Sequence, residues 1–315
     1  MIESKMKVND LGFIFKPECN ETWWKSHAMA PTPILLDNDT VRIYMGCWDA
    51  EGISRIGYID VDSNNPKSIK NICQKPVLDI GKDGCFDENG VFPGHAYKLS
   101  DELVYLYYTG FQLGHKIRHY NFGGLAISKD GGNTFERYSQ APVMDRADEG
   151  LFVRAGQSIE RDPNGGFHMV YSAGSDWCLC KGEYRPVYDV FYQHSKDGIE
   201  VAKQGKKIVS CDLNVEHGLG RPQITKLGDY YYVFYTRRII EDMKYFIGAS
   251  RSLDCVSWER CDSIFDHVSY GFDGDFNNEM IYFPSAVKVS DNKAILIYTG
   301  NYFGRDGIGA LELNF

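Results

Sequence analysis

Four glutamates recur at one place in this chain. Glu88, Glu149, Glu216 and Glu279 each stand five or six residues ahead of a proline or its positional equivalent, within the stretches 86–94, 148–156, 216–222 and 277–284. Asp87 adjoins the first of them. A fifth stretch, 23–31, carries Lys25 and Ser26 at that place, beside Trp23, Trp24 and His27. Carboxylates can divide acid and base work when their surroundings push their pKa values apart. Gathered on one rim they also repel, so they need cations, shared protons or a polyhydroxylated ligand. Arg154, Arg221 and Lys25 supply cations in the same stretches. An acid repeated at a fixed place would serve equally as a cap where a strand begins, and both readings stand at this stage. His27 and His95 lie in these stretches too, with a structural hydrogen bond and a site role both open. No HxH or HExxH spacing accompanies them, so neither a metal nor a cofactor is expected.

A second set of chemical residues lies between the stretches: Trp48-Asp49, His115 to His119, Asp176-Trp177, Tyr184-Arg185, Arg237-Arg238 and Tyr302. Aromatic rings beside Asp, Glu and Arg suit a sugar. The C–H face of a pyranose stacks on a ring, and bidentate side chains grip neighbouring hydroxyls. The same rings would also serve to pin down loops. The candidate ligand-binding residues are Trp24, His27, Trp48, His95, Arg154, Arg221, Arg237, Glu279 and Tyr282, and the candidate catalytic residues are Glu149, Asp87, Glu88 and Glu216. The expected ligand is a saccharide or a sugar phosphate.

The elements that must position these residues repeat. The run from Phe86 to Gly110 is an acidic loop, a short apolar strand, a turn and a β-prone return strand. Its variants occur five times, and Tyr44, Tyr108, Tyr171, Tyr235 and Tyr298 mark the return strand at spacings of 64, 63, 64 and 63. A period that steady predicts an array of equal modules. Each module reads as a four-stranded antiparallel meander, which predicts an all-β, five-bladed β-propeller as a single domain. The blades run over about 30–79, 92–145, 155–212, 220–266 and 283–315, with outer strands expected at 76–79, 142–145, 207–212 and 263–266. The last module is one strand short, and strand 11–15 is expected to complete it, which would protect the edges of an open array. Alternating strand direction sends the acidic loops and the loops after the return strands to one face, so the site is expected there, at the axis.

Composition narrows the classes. A chain of 315 residues with formal net charge −9 and no basic stripe does not suit a nucleic acid. The nine cysteines are irregularly spaced, and Cys178-Leu179-Cys180 is a CxC without a second pair at zinc spacing, so free thiols are expected. The first residues lack an apolar signal core and no apolar run reaches membrane-spanning length, so a soluble, cytoplasmic protein with no membrane partner is expected.

The acidic loops, the hairpin ending in Tyr108-Thr109-Gly110 and the Ser128-Lys129-Asp130-Gly131 hairpin resemble the five-bladed propeller glycoside hydrolases of families 43, 32, 62 and 130, from about Leu11 to Phe315. The resemblance implies three catalytic carboxylates on successive blades. The third-blade general acid would be Glu149 and the second-blade acid Asp87 or Glu88. The first-blade acid stands directly before a proline, where this chain has Ala30. The base would then be Glu216, Glu279 or His27, or no hydrolysis occurs. The resemblance thus implies a glycosidase-like enzyme. Its alternatives are a glycoside phosphorylase or glycosyl transferase of surface-glycan synthesis, with Arg154, Arg221, Lys25 and Arg237 on phosphate, and a non-catalytic sugar-binding propeller. Residues 128–135 also resemble the Asp-box of sialidases, a structural hairpin on the tight-turn side.

Overall fold

Return strands rich in Tyr, Val and Ile are buried on both faces, and they sit in the middle of each sheet. The computed structural model describes residues 6–18, 22–268, 271 and 274–315. Strand β1 (Lys7–Phe15) precedes a first antiparallel unit of β2 (Ser26–Asp37), β3 (Thr40–Trp48), β4 (Ser54–Asp62) and β5 (Ile69–Ile72). The second unit is β6 (Val91–Lys98), β7 (Val104–Leu113), β8 (His119–Ser128) and β9 (Glu136–Arg137). The third is β10 (Val153–Arg161), β11 (Phe167–Cys180), β12 (Glu183–Ser195) and β13 (Lys206–Val209). The fourth is β14 (Glu216–Leu227), β15 (Tyr230–Ile239), β16 (Tyr245–Ser252) and β17 (Glu259–Arg260). The last is β18 (Tyr282–Ser290), β19 (Lys293–Thr299) and β20 (Ile308–Asn314), and β1 pairs antiparallel with β20 from Lys7↔Asn314 to Phe15↔Ile308.

The first strands pack side by side in chain order, β2 on β6, β6 on β10, β10 on β14 and β14 on β18, and β18 packs on β2. Apolar cores fill the space between neighbouring units. One joins Val41, Ile43 and Ile59 of the first unit to Ile295, Ile297 and Ile308 of the last, with Ile14 and Phe15 of β1. The architecture is all-β and propeller-like, and among the described residues no helix is long and apolar enough to cross a membrane.

The outer strands differ from expectation. They are β5, β9 and β17, each several residues earlier than 76–79, 142–145 and 263–266. Leu78 and Met144 make only isolated bridges, to Ile56 and Gly123, and Asp262–Phe265 is a single 3-10 turn. Leu78, Met144 and Phe265 are buried plugs between units. Polar residues take the outer strand because an edge faces water and is best kept charged.

Candidate ligand-binding site

Each first strand carries one extra residue at the same place. The register slips between Met29 and Thr32, Pro93 and His95, Ala155 and Ser158, Gly220 and Gln223, and Tyr282 and Ser285. A β-bulge bends the strand and re-aims a side chain. Ala30, Gly156, Arg221 and Phe283 at these bulges have φ of 56°, 72°, 49° and 51°. The bulges converge: a Cβ built on Gly94 would stand 3.5 Å from the Gly156 Cα, and one on Gly156 would stand 3.3 Å from the Arg221 Cα. Arg221 closes the bottom of the resulting funnel. Its guanidinium donates to the carbonyls of Ala30, Pro31, Pro93, Phe283 and Pro284, at 3.0 to 3.4 Å. Burial lowers its pKa to about 9, so it stays cationic at neutral pH. No carboxylate occupies any of the bulges.

Above Arg221 lies a cavity of about 880 Å³, lined from all five units. Met29, Phe92, Ala155, Gly220 and Phe283 of the first strands form its floor. Trp48, Phe111, Trp177 and Arg238 at the ends of the return strands form its wall, with Lys116 to His119, Glu183 to Pro186, Tyr188, Tyr245 and Phe303. The ring of Trp48 stacks on His27 with centroids 4.0 Å apart, and Phe303 lies 6.1 Å away on a near-parallel plane. Burial, then Arg305, lowers the pKa of His27 to about 4. The Trp48 indole nitrogen, His119 Nδ1, Asn121 Oδ1 and Arg238 Nε are buried without a partner. Glu183 is the one carboxylate in the lining among the described residues, and it pairs with Arg185 at 2.5 Å.

The recurring acids are elsewhere. Asp87 is fully buried, and its Oδ2 accepts from the Tyr108 hydroxyl at 3.1 Å and from Arg137 of β9 at 2.8 Å. Glu149 accepts from the Tyr171 hydroxyl at 2.7 Å, Arg154 at 2.9 Å and the Gly205 amide at 2.8 Å. Glu216 accepts from Arg237 at 2.8 Å and from Arg260 of β17 at 2.5 Å. Glu88 accepts from the Gly84 amide and Gln112, and Glu279 pairs with Lys244 at 2.6 Å. None of the five lines the cavity. The spacing tyrosines take part in this stapling: all five are fully buried, and Tyr108 and Tyr171 bond the loop acid of their own unit.

Of the other expected residues, Trp48 and Arg221 line the cavity and His27 stacks behind Trp48. Trp24 is fully buried against Phe15, its indole donating to the His27 carbonyl. His95 is buried and its Nδ1 accepts from the Ile159 amide at 3.2 Å. Arg154 and Arg237 are taken up by Glu149 and Glu216, and the Tyr282 hydroxyl accepts from the Phe303 amide. Strand parity explains the exchange of Arg237 for Arg238: adjacent residues point to opposite sides. Tyr188, Tyr245 and Phe303 were not singled out as site residues by sequence. A signal for the fate of the acids was present, because Phe135-Glu136-Arg137 and Trp258-Glu259-Arg260 repeat an aromatic-Glu-Arg triplet on the outer strand.

The fold is similar to that of the propeller glycoside hydrolases. Residues 74–197 match the family described as Glycosyl hydrolases family 32 N-terminal domain. Among solved structures, one described as "Glycoside hydrolase" superposes with a TM-score of 0.68 at 17% identity, covering 96% of this chain and 90% of that one. A thermostable family-43 glycoside hydrolase gives 0.65 at 17% identity, covering 94% and 90%. The Mycobacterium tuberculosis protein described as "Uncharacterized protein Rv1502" is 30% identical over 312 residues, 98% of this chain and 99% of that protein. This chain belongs to one family with it.

Proposed function

We propose that this chain is a five-bladed propeller, its last blade completed by β1, that binds a saccharide in the axial cavity and does so without paired-carboxylate hydrolysis. The observation that carries this reading is the lining: aromatic rings from several units, buried hydrogen-bonding atoms without partners, and Glu183 as its one carboxylate among the described residues. Rings offer faces to sugar C–H groups. Buried polar atoms without partners are hydrogen-bonding capacity awaiting one. Hydrolysis by the usual route needs two carboxyl groups, about 5 Å apart for retention or about 6.5–9.5 Å for inversion. A cavity with one cannot supply both, and Asp87, Glu149 and Glu216 are each engaged by arginine. The glycoside hydrolase descriptions of the structural neighbours support a sugar as the ligand class.

Calorimetric titration with a panel of mono- and disaccharides tests this, alongside an assay for released reducing sugar. The wild type is expected to bind, Trp48→Ala to bind about tenfold more weakly or worse, and no sugar to be released. Absence of any saccharide binding, or sugar release abolished by Glu149→Gln, would overturn the reading. Glu183 favours one alternative, glycosyl transfer from a sugar phosphate: Glu183 takes the proton of an acceptor hydroxyl as its oxygen bonds the anomeric carbon, and the phosphate leaves with the electron pair of the broken C–O bond. Glu183→Gln would then abolish transfer and leave binding intact; transfer that survives the substitution excludes this role.

A further inference from the structure

One wall of the cavity is cationic in a chain of net charge −9. Arg118 comes from the loop before β8, Arg185 from the β11–β12 hairpin and Arg238 from the end of β15. Arg238 is the most firmly held. Its guanidinium donates to the hydroxyls of Tyr188 and Tyr245, the latter at 2.6 Å, and lies 5.4 and 4.8 Å from the two ring centroids. Both partners are neutral, and its Nε has none. Among the described residues no carboxylate pairs with Arg238 or Arg118. The Nε of Arg185, Nδ1 of His119 and Nε2 of His217 are also buried without partners. The carboxylate that does reach this wall, Glu183, is mostly exposed and engages only Arg185.

A guanidinium withdrawn from water without a counter-charge is costly, and its planar fork is suited to a carboxylate or a phosphate. Elsewhere in the molecule Arg42 has that counter-charge in Asp60 at 2.7 Å and Arg154 in Glu149 at 2.9 Å, whereas Arg221 has five backbone carbonyls that take up its donors. We propose that the Arg118–Arg185–Arg238 wall binds the anionic group of a charged saccharide, with Arg238 at its centre and the tyrosine pair fixing its fork. The inference rests on the saccharide reading of the cavity and names the substrate class for it. A phosphate and a uronic carboxylate share the required oxyanion chemistry. The set differs from Arg154, Arg221 and Arg237, whose donors are already used by Glu149, by backbone carbonyls and by Glu216.

The test is calorimetric titration of the wild type, Arg118→Gln and Arg238→Met with glucose 1-phosphate, glucuronate, inorganic phosphate and glucose, at low and high salt. The charged sugars are expected to bind about tenfold or more tighter than glucose, and to weaken as salt rises. Arg118 is exposed, so Arg118→Gln keeps the fold, and it is expected to lower affinity for the charged sugars and not for glucose. Arg238→Met is expected to do the same more strongly, with thermal unfolding run beside it to separate lost binding from lost fold. Preference for glucose 1-phosphate assigns the phosphate, and preference for glucuronate assigns the carboxylate. Glucose binding as tightly as the charged sugars, with Arg118→Gln unchanged, overturns the anionic site and leaves the saccharide reading standing. Inorganic phosphate binding with no sugar bound does the reverse.

Discussion

Glu149 and Glu88 look alike in sequence and do different work. Glu149 and its partner Arg154 are both about 4% exposed, and the carboxylate also receives Tyr171 and the Gly205 amide. Removing one member of a buried ion pair leaves the other charge uncompensated, so Glu149→Ala is expected to lose about 3 kcal/mol. Glu88 is half-buried and pins a loop, so Glu88→Ala is expected to cost about 1 kcal/mol or less. Urea unfolding of the two variants measures the contrast, and equal losses would contradict it. Sugar binding is expected to survive both substitutions, since neither residue lines the cavity.

At the scale of the element, His95 joins two units. It sits on β6, and its Nδ1 accepts the amide of Ile159 on β10. An acceptor nitrogen carries no proton, and burial, then Arg221, lowers the pKa of His95 from 6.5 to about 3. Between those values the unfolded chain binds the proton and the folded chain does not, so stability rises with pH across that window and is lost as pH falls through it. Unfolding midpoints measured from pH 7 down to about 4 are expected to fall, and His95→Gln to flatten the profile while lowering stability at pH 7. A slope identical to wild type would remove His95 as the cause. The same element scale explains the turns after the third strands. Ser128 and Asp130 hold the amides of Gly132, Asn133 and Thr134, and the Tyr44 hydroxyl of the preceding unit donates to the Gly132 carbonyl at 2.7 Å. The Asp-box resemblance therefore marks a fastening between units, and Tyr107 makes the equivalent bond to the Gly198 carbonyl.

Across the whole molecule, Arg221 ties the units together. It belongs to β14 and donates to carbonyls of β2, β6 and β18, three other first strands around the axis. Arg221→Met would leave those carbonyls buried and without their donor. The expected loss is about 3 kcal/mol or more, read as a lower midpoint in chemical unfolding, and a change within about 0.5 kcal/mol would refute the tie. The cavity sits directly on this tie, so the residue that joins these first strands also sets the cavity floor.

The spacing of Tyr44, Tyr108, Tyr171, Tyr235 and Tyr298 was enough to predict the all-β architecture and its repeated antiparallel units. Those features follow from local patterns, apolar alternation and turn residues, that each module repeats for itself. The lining of the candidate cavity was only half legible. Trp48 and the loops at 115–119 and 184–185 pointed to the cavity, whereas the acids of the lead-in loops pointed away from it. Asp87 meets Arg137 and Glu216 meets Arg260 only after three further strands have folded beside them, and no spacing within a loop records that. The one-residue bulges, and the strand parity that sends Arg237 to Glu216 and Arg238 to the cavity, are decided by register. Register is settled by how whole sheets pack, so the tertiary structure alone determined which charges face the cavity.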